Sequence, residues 1–230
     1  MRPSERRYYT TEFEARAVGS EFRIEGHAAV FNRLSQDLGG FVERIAPGAF
    51  AKTIKEADVR ALFNHDASLI LGRTRAGTLR LEEDKTGLLY DVAVPDTSYG
   101  RDLMVSIERG DVTQSSFGFR VIDDGWERTD DGYPLRTLRE VSLQNGDVSP
   151  VTYPAYPDTD VVARALEHLA SKTGVAADAL VDAIRSGRLP GEIDAEAAEP
   201  ELEVVVEEIA KVDLSSFRME LLKRKHIPYA

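Results

Sequence analysis

The sequence predicts a mainly β domain with flanking helices (α+β), followed by a helical, acidic C-terminal appendage. Three observations predict it. Up to about residue 165, apolar and polar residues alternate in short runs closed by turn signals, the period-2 pattern of half-buried strands. Only two segments of that stretch carry apolar residues at helical spacing. After residue 165 the pattern changes to short amphipathic helices and then to an acidic run.

Taken in order, Phe22 to Ala29 (FRIEGHAA) and Phe41 to Ile45 (FVERI) alternate as strands. Pro47 to Ala57 (PGAFAKTIKEA) has helical spacing. Thr78 to Glu82 (TLRLE) and Leu88 to Val94 (LLYDVAV) alternate again, and Asp84 to Gly87 (DKTG) between them reads as a hairpin turn. Gly100 to Arg109 (GRDLMVSIER) is expected to be a helix with Leu103, Met104 and Ile107 on one face. Phe117 to Val121 (FGFRV) and Leu138 to Leu143 (LREVSL) read as strands around a polar loop. Asn145-Gly146 reads as a tight turn, after which Asp147 to Tyr153 (DVSPVTY) resumes extended chain. Beyond the boundary, Val161 to Lys172 and Ala176 to Arg185 read as short helices, and Leu214 to Lys225 as one more. Pro190 to Ala210 holds eight acidic residues and no basic one, as in a solvated linker or tail.

Composition excludes several classes. A chain of 230 residues fits one domain plus an appendage, at roughly 150 residues per domain. With no cysteine there can be no disulfide scaffold, thiolate nucleophile or Cys-ligated metal, and a reducing compartment is compatible. Forty acidic against 29 basic residues give a net charge of −11, a poor basis for binding nucleic acid by counterion release. No stretch approaches the ~20 apolar residues of a membrane helix. The N-terminal stretch has basic residues with no apolar region behind them, so no secretory signal is expected. These properties suit a soluble protein, intracellular or enclosed in a particle.

Few residues are candidates for chemistry. His65 follows an apolar run and sits between Asn64 and Asp66, where one ring nitrogen can be fixed while the other faces a cleft; the bland alternative is a surface loop histidine. His27 lies within an alternating strand and suits a satisfied structural role, while His168 and His226 fall in the tail. Ser115 and Ser116 precede Phe117-Gly118-Phe119, where a glycine between rings marks a bulge or a close backbone approach. Either serine could be a nucleophile given a nearby base, although Ser is also common at strand starts. Glu140 and Asp147 could each hold a histidine in its productive tautomer, or be exposed strand carboxylates. No zinc-protease, P-loop, dinucleotide-binding or Gly-x-Ser-x-Gly motif occurs.

Together, and in this order, the segments resemble the prohead (procapsid maturation) protease family of tailed bacteriophages. The residues that carry the resemblance are GHAAVFN (26–32), ERIAPGAF (43–50), NHD (64–66) with LGRT (71–74), SFGF (116–119), REV (139–141) and DVSPVTYPAYP (147–157). They span about residues 22–165. The resemblance implies a serine endopeptidase on an antiparallel β-barrel of the herpesvirus-protease type. It puts His65 at the general-base position and Ser116 at the nucleophile position, with Ser115 the lesser candidate. For the acid it narrowly favours Glu140 over Asp147, the intervening Gln144-Asn145-Gly146 being longer than the family's usual link. It implies no cofactor and no metal. The implied substrates are the scaffold, segments of the major capsid protein and the protease itself, in the host bacterial cytoplasm within the assembling procapsid; an oligomer is compatible. Residues 1–165 would be the protease domain and 166–230 a flexible or self-cleaved segment. The rivals are a non-catalytic structural protein of a virion or tube on a related barrel, and an unrelated serine hydrolase or esterase.

Overall fold

The computed structural model describes residues 5–9, 13–18, 21–153, 166 and 169–193. Two compact units divide the chain at Ile193, and all the described residues lie in the first. The described residues are mainly β, with ten strands in two sheets and a few short helices.

The smaller sheet has the order β2-β3-β8-β7, all antiparallel: β2 is Phe13–Val18, β3 Glu21–Val30, β7 Leu79–Glu83 and β8 Gly87–Val94. In β8 the alternation read in the sequence becomes alternating burial, with Leu88, Tyr90, Val92 and Val94 inward and Leu89, Asp91 and Ala93 half-exposed. The β7–β8 turn is held by the Asp84 carboxylate, which accepts from the amides of Thr86 and Gly87 at 2.7 and 2.8 Å.

The larger sheet is built on one long hairpin, β9 (Gln114–Arg128) with β10 (Pro134–Val151). On the far side of β9 lies β1 (Glu5–Tyr9). The free edge of β10 is filled in three pieces, in chain order. β4 (Val42–Ile45) pairs in parallel with Leu135 to Leu138. Next, the Ala49 carbonyl and the Thr53 hydroxyl accept from the Val141 and Leu143 amides at 3.0 and 2.8 Å. Last, β5 (Arg60–Phe63) pairs in parallel at Asp147 and Val148, and carries β6 (Asp66–Arg73) antiparallel beyond it. This edge therefore sets where the β5–β6 hairpin sits relative to β10.

One apolar core joins the sheets, with Ile24, Leu88, Tyr90 and Val92 from one and Phe117, Phe119, Val121, Leu138, Val141 and Val148 from the other. Phe117 stacks on Phe119 at 4.7 Å between centroids and meets Phe50 edge-on at 5.5 Å. Among the described residues no pairing closes either sheet into the expected barrel. Nor is the larger sheet wholly antiparallel, because β4 and β5 run with β10.

The helices follow their sequence signals in part. α2 (Ser98–Glu108) starts where the Thr97 hydroxyl accepts from the Gly100 amide at 3.2 Å, and it buries Leu103 and Ile107 as expected. In Pro47 to Ala57 only α1 (Thr53–Glu56) is helical, since Gly48 turns the chain at φ 89° and the Ala49 carbonyl serves β10 instead. Residues 169–173 are helical and α3 is Ala177–Arg185. Lys172 donates to the Asp124 carboxylate at 3.1 Å, and Arg128 to the Gly187 carbonyl at 2.6 Å and to Glu192 at 2.8 Å. The acidic run from Asp194 onward, the helix expected over Leu214 to Lys225 and most of Val161 to Lys172 lie outside the described residues.

Candidate active site

His65 lies in the two-residue link of the β5–β6 hairpin, where Phe63 faces Asp66. Asn64 and His65 have φ values of 54° and 57°, the double positive φ that a type I′ turn requires. Asn tolerates this conformation better than most residues, but an imidazole at the second position, where Gly is usual, stores strain on the order of 1 kcal/mol. The turn is pinned to the end of β10. The Asn64 amide donates to the Pro150 carbonyl at 3.0 Å, its Nδ2 donates to Thr152 Oγ1 at 3.1 Å, and its Oδ1 accepts from the Thr152 amide at 2.8 Å.

The two serines of β9 point to opposite faces, as neighbours on a strand must. Ser115 faces the core, where its hydroxyl meets the Tyr90 hydroxyl at 2.9 Å. Burial pushes the Tyr90 phenol well above its ordinary pKa, so this pair stays protonated and neutral. Ser116, fully buried, lies on the other face with its Oγ 2.7 Å from His65 Nε2.

The acid on the imidazole is Asp147. Its Oδ2 is 2.5 Å from His65 Nδ1, and the two side chains are 11% and 4% exposed. Glu140, the residue narrowly favoured by sequence, instead meets Lys52 Nζ at 3.3 Å with its side chain 36% exposed. The cause is an irregularity in β10. Ser142 faces Arg120 and Asp147 faces Gly118, so four residues, Leu143 to Gly146, stand opposite the single residue Phe119. Asn145-Gly146 therefore makes a bulge inside one strand rather than a turn between two. Asn145 takes φ 62°, and Gly146 passes so close to β9 that a Cβ would lie 1.9 Å from the Gly118 carbonyl oxygen. This detour brings Asp147 to the His65 turn.

Three further residues shape the site. Ser149, fully buried and paired across the strands with Ser116, donates to Asp147 Oδ2 at 2.6 Å. Gly118 leaves room for the carboxylate, since a Cβ there would come within 2.9 Å of Asp147 Oδ1. Asn64 holds the turn. Sequence reasoning marked Gly118 for a close approach but not Ser149 or the Asn64–Thr152 pair. The signal for Ser149 was its spacing two residues from Asp147, which puts both on one face of a strand.

A carboxylate can only accept, so His65 Nδ1 donates to Asp147 and the Nε2 lone pair accepts from the Ser116 hydroxyl. Such a relay can take the hydroxyl proton as the oxygen attacks an electrophilic carbon. His27 is engaged elsewhere, with Nε2 2.8 Å from Asp84 Oδ2, and His168 and His226 lie outside the described residues. No group of three or more His, Asp or Glu side chains able to hold a metal ion occurs among the described residues. Nor is any helix among them long and apolar enough to cross a membrane.

A family model described as caudovirus prohead serine protease matches residues 11–172. No curated protein matches the chain. Among solved structures, the capsid assembly protease gp21 of bacteriophage T4 is similar at 12% identity and a TM-score of 0.44, over 66% of this chain and 98% of that one.

Proposed function

The chain belongs to the caudovirus prohead serine protease family, and on that premise we propose that it is a capsid-maturation endopeptidase whose catalytic groups are Ser116, His65 and Asp147. The observation that carries this reading is the unbroken relay from Ser116 Oγ to His65 Nε2 at 2.7 Å and from Nδ1 to Asp147 Oδ2 at 2.5 Å. Ser116 attacks a peptide carbonyl carbon while Nε2 takes its proton. The imidazolium, steadied by the Asp147 carboxylate, then protonates the leaving amine and releases the first product. A water molecule, deprotonated by the same nitrogen, hydrolyses the acyl-enzyme and restores the serine. We read the two-sheet core as the herpesvirus-protease type of fold.

The substrates we propose are the scaffold and segments of the major capsid protein, met inside the assembling procapsid in the host bacterial cytoplasm. The protease itself is a further substrate. Residues 1–165 are read as the protease domain and 166–230 as the segment open to self-removal.

Co-expression with the major capsid protein of the same phage tests this reading. Wild type should convert the capsid protein to a shorter form, and Ser116→Ala should leave it full length. Processing by Ser116→Ala equal to that of wild type would overturn the assignment.

A further inference from the structure

We propose that Ser149 and Gly118 are positioning residues, one at each oxygen of the Asp147 carboxylate, that together keep its Oδ2 aligned on His65. The inference rests on the Ser116–His65–Asp147 reading above. Torsion about the bond that carries a carboxylate is broad and roughly two-fold, so one hydrogen bond leaves the group free to swing. Here Oδ2 accepts twice, from His65 Nδ1 at 2.5 Å and from Ser149 Oγ at 2.6 Å. Ser149 is fully buried, so no bulk water competes for its hydroxyl. It sits two residues from Asp147 on the same face of β10, directly across from Ser116. One short side chain therefore ties the acid to the strand position that faces the nucleophile.

Gly118 acts by what it lacks. Asp147 faces Gly118 across the strands, and a methyl group there would lie 2.9 Å from Oδ1, inside van der Waals contact. Alanine would force the carboxylate to rotate or withdraw, moving Oδ2 off Nδ1 without deleting a single hydrogen-bonding group. Neither residue touches the reacting atoms. Both act through Asp147, one by holding the carboxylate and the other by leaving it space.

Diisopropyl fluorophosphate, which phosphorylates an activated serine and releases fluoride, tests the proposal on the purified full chain. The first readout is the rate of adduct formation at Ser116. The second is the downfield proton resonance of His65 Nδ1–H, which a purely structural role would not move. Ser149→Ala should slow labelling about tenfold, the worth of one hydrogen bond to a charged group, and should shift or broaden that resonance. Ser149→Thr, which keeps the hydroxyl, should restore both. Gly118→Ala should slow labelling and move the resonance although every donor and acceptor remains. Ser149→Ala or Gly118→Ala that labels within twofold of wild type with an unmoved resonance overturns the proposal. If Ser149→Ala does not fold, Gly118→Ala alone decides by the same criterion. Failure of the underlying relay looks different: wild type would not label at Ser116, or His65→Ala would label as fast as wild type.

Discussion

Asn64→Ala should loosen the turn that carries His65, by an amount the structure lets us work out. The side chain makes two hydrogen bonds to Thr152, at 3.1 and 2.8 Å, and Asn64 is exposed, so each is taken at the low end, about 0.5 kcal/mol. Alanine must also hold φ near 54°, which costs an L-residue with a β-carbon about 1 kcal/mol. The total is about 2 kcal/mol, or a fall in Tm of about 6 °C at the 2–4 °C per kcal/mol usual for this size of chain. Asn64→Gly loses the same bonds without the conformational cost, so it should be about 1 kcal/mol milder than alanine. Urea midpoints and thermal scans, run in a Ser116→Ala background to prevent self-cleavage, give both values. An Asn64→Ala protein within 0.5 kcal/mol of its parent would refute the clamp. Glycine and alanine variants of equal stability would refute the part assigned to the left-handed backbone.

Three other outcomes follow from named contacts. Asp147→Asn should lower capsid-protein cleavage by about 10⁴-fold, the usual result of removing the acid that orients the histidine, while Glu140→Gln stays within twofold of wild type in the same time-course. Arg136, fully buried, donates to Asp124 at 2.8 Å and to Glu43 at 3.1 Å, so Arg136→Met leaves two buried carboxylates without it and should cost about 3–5 kcal/mol by urea unfolding. Asp58 is held at about 2, below its ordinary 3.8, because the Arg73 guanidinium donates to both its oxygens. A folded-state pKa below the unfolded one gives stability that is complete above about pH 4 and lost as pH falls through about 2. The wild-type urea midpoint should therefore drop across that window, and Asp58→Asn should flatten the drop.

Much of the fold is readable from the chain because local pattern and burial coincide. The alternation of Leu88 to Val94 is the burial pattern of β8, and the spacing of Leu103 and Ile107 is the inner face of α2. What the pattern does not give is pairing at long range. β6 (Asp66–Arg73) has no alternating signature, since its first three residues are all exposed at the outer side of its hairpin, and it owes its place to β5. Asn145-Gly146 is ambiguous for a physical reason: a type I′ turn favours this dipeptide, and the bulge in β10 uses the same two residues, Asn145 at φ 62° and Gly146 where a side chain would not fit. Only the partner strand decides between them, through the close approach of Gly146 to the Gly118 carbonyl. That ambiguity passes directly to the acid. Glu140 and Asp147 look equivalent in the chain, yet the bulge takes one to the imidazole and leaves the other on Lys52. His65 and Ser116 each have an ordinary local alternative and gain weight only from the order of the segments around them, whereas the contacts that place the imidazole come from residues more than 80 positions away, Asp147 directly and Thr152 through Asn64.

The claim that Ser116 is the nucleophile, activated by His65, is met most directly by peptide mapping after treatment with diisopropyl fluorophosphate. One adduct is expected, on Ser116, formed by wild type and by Ser115→Ala and lost in His65→Ala. An adduct on Ser115, or labelling of Ser116 that is unchanged in His65→Ala, would contradict it.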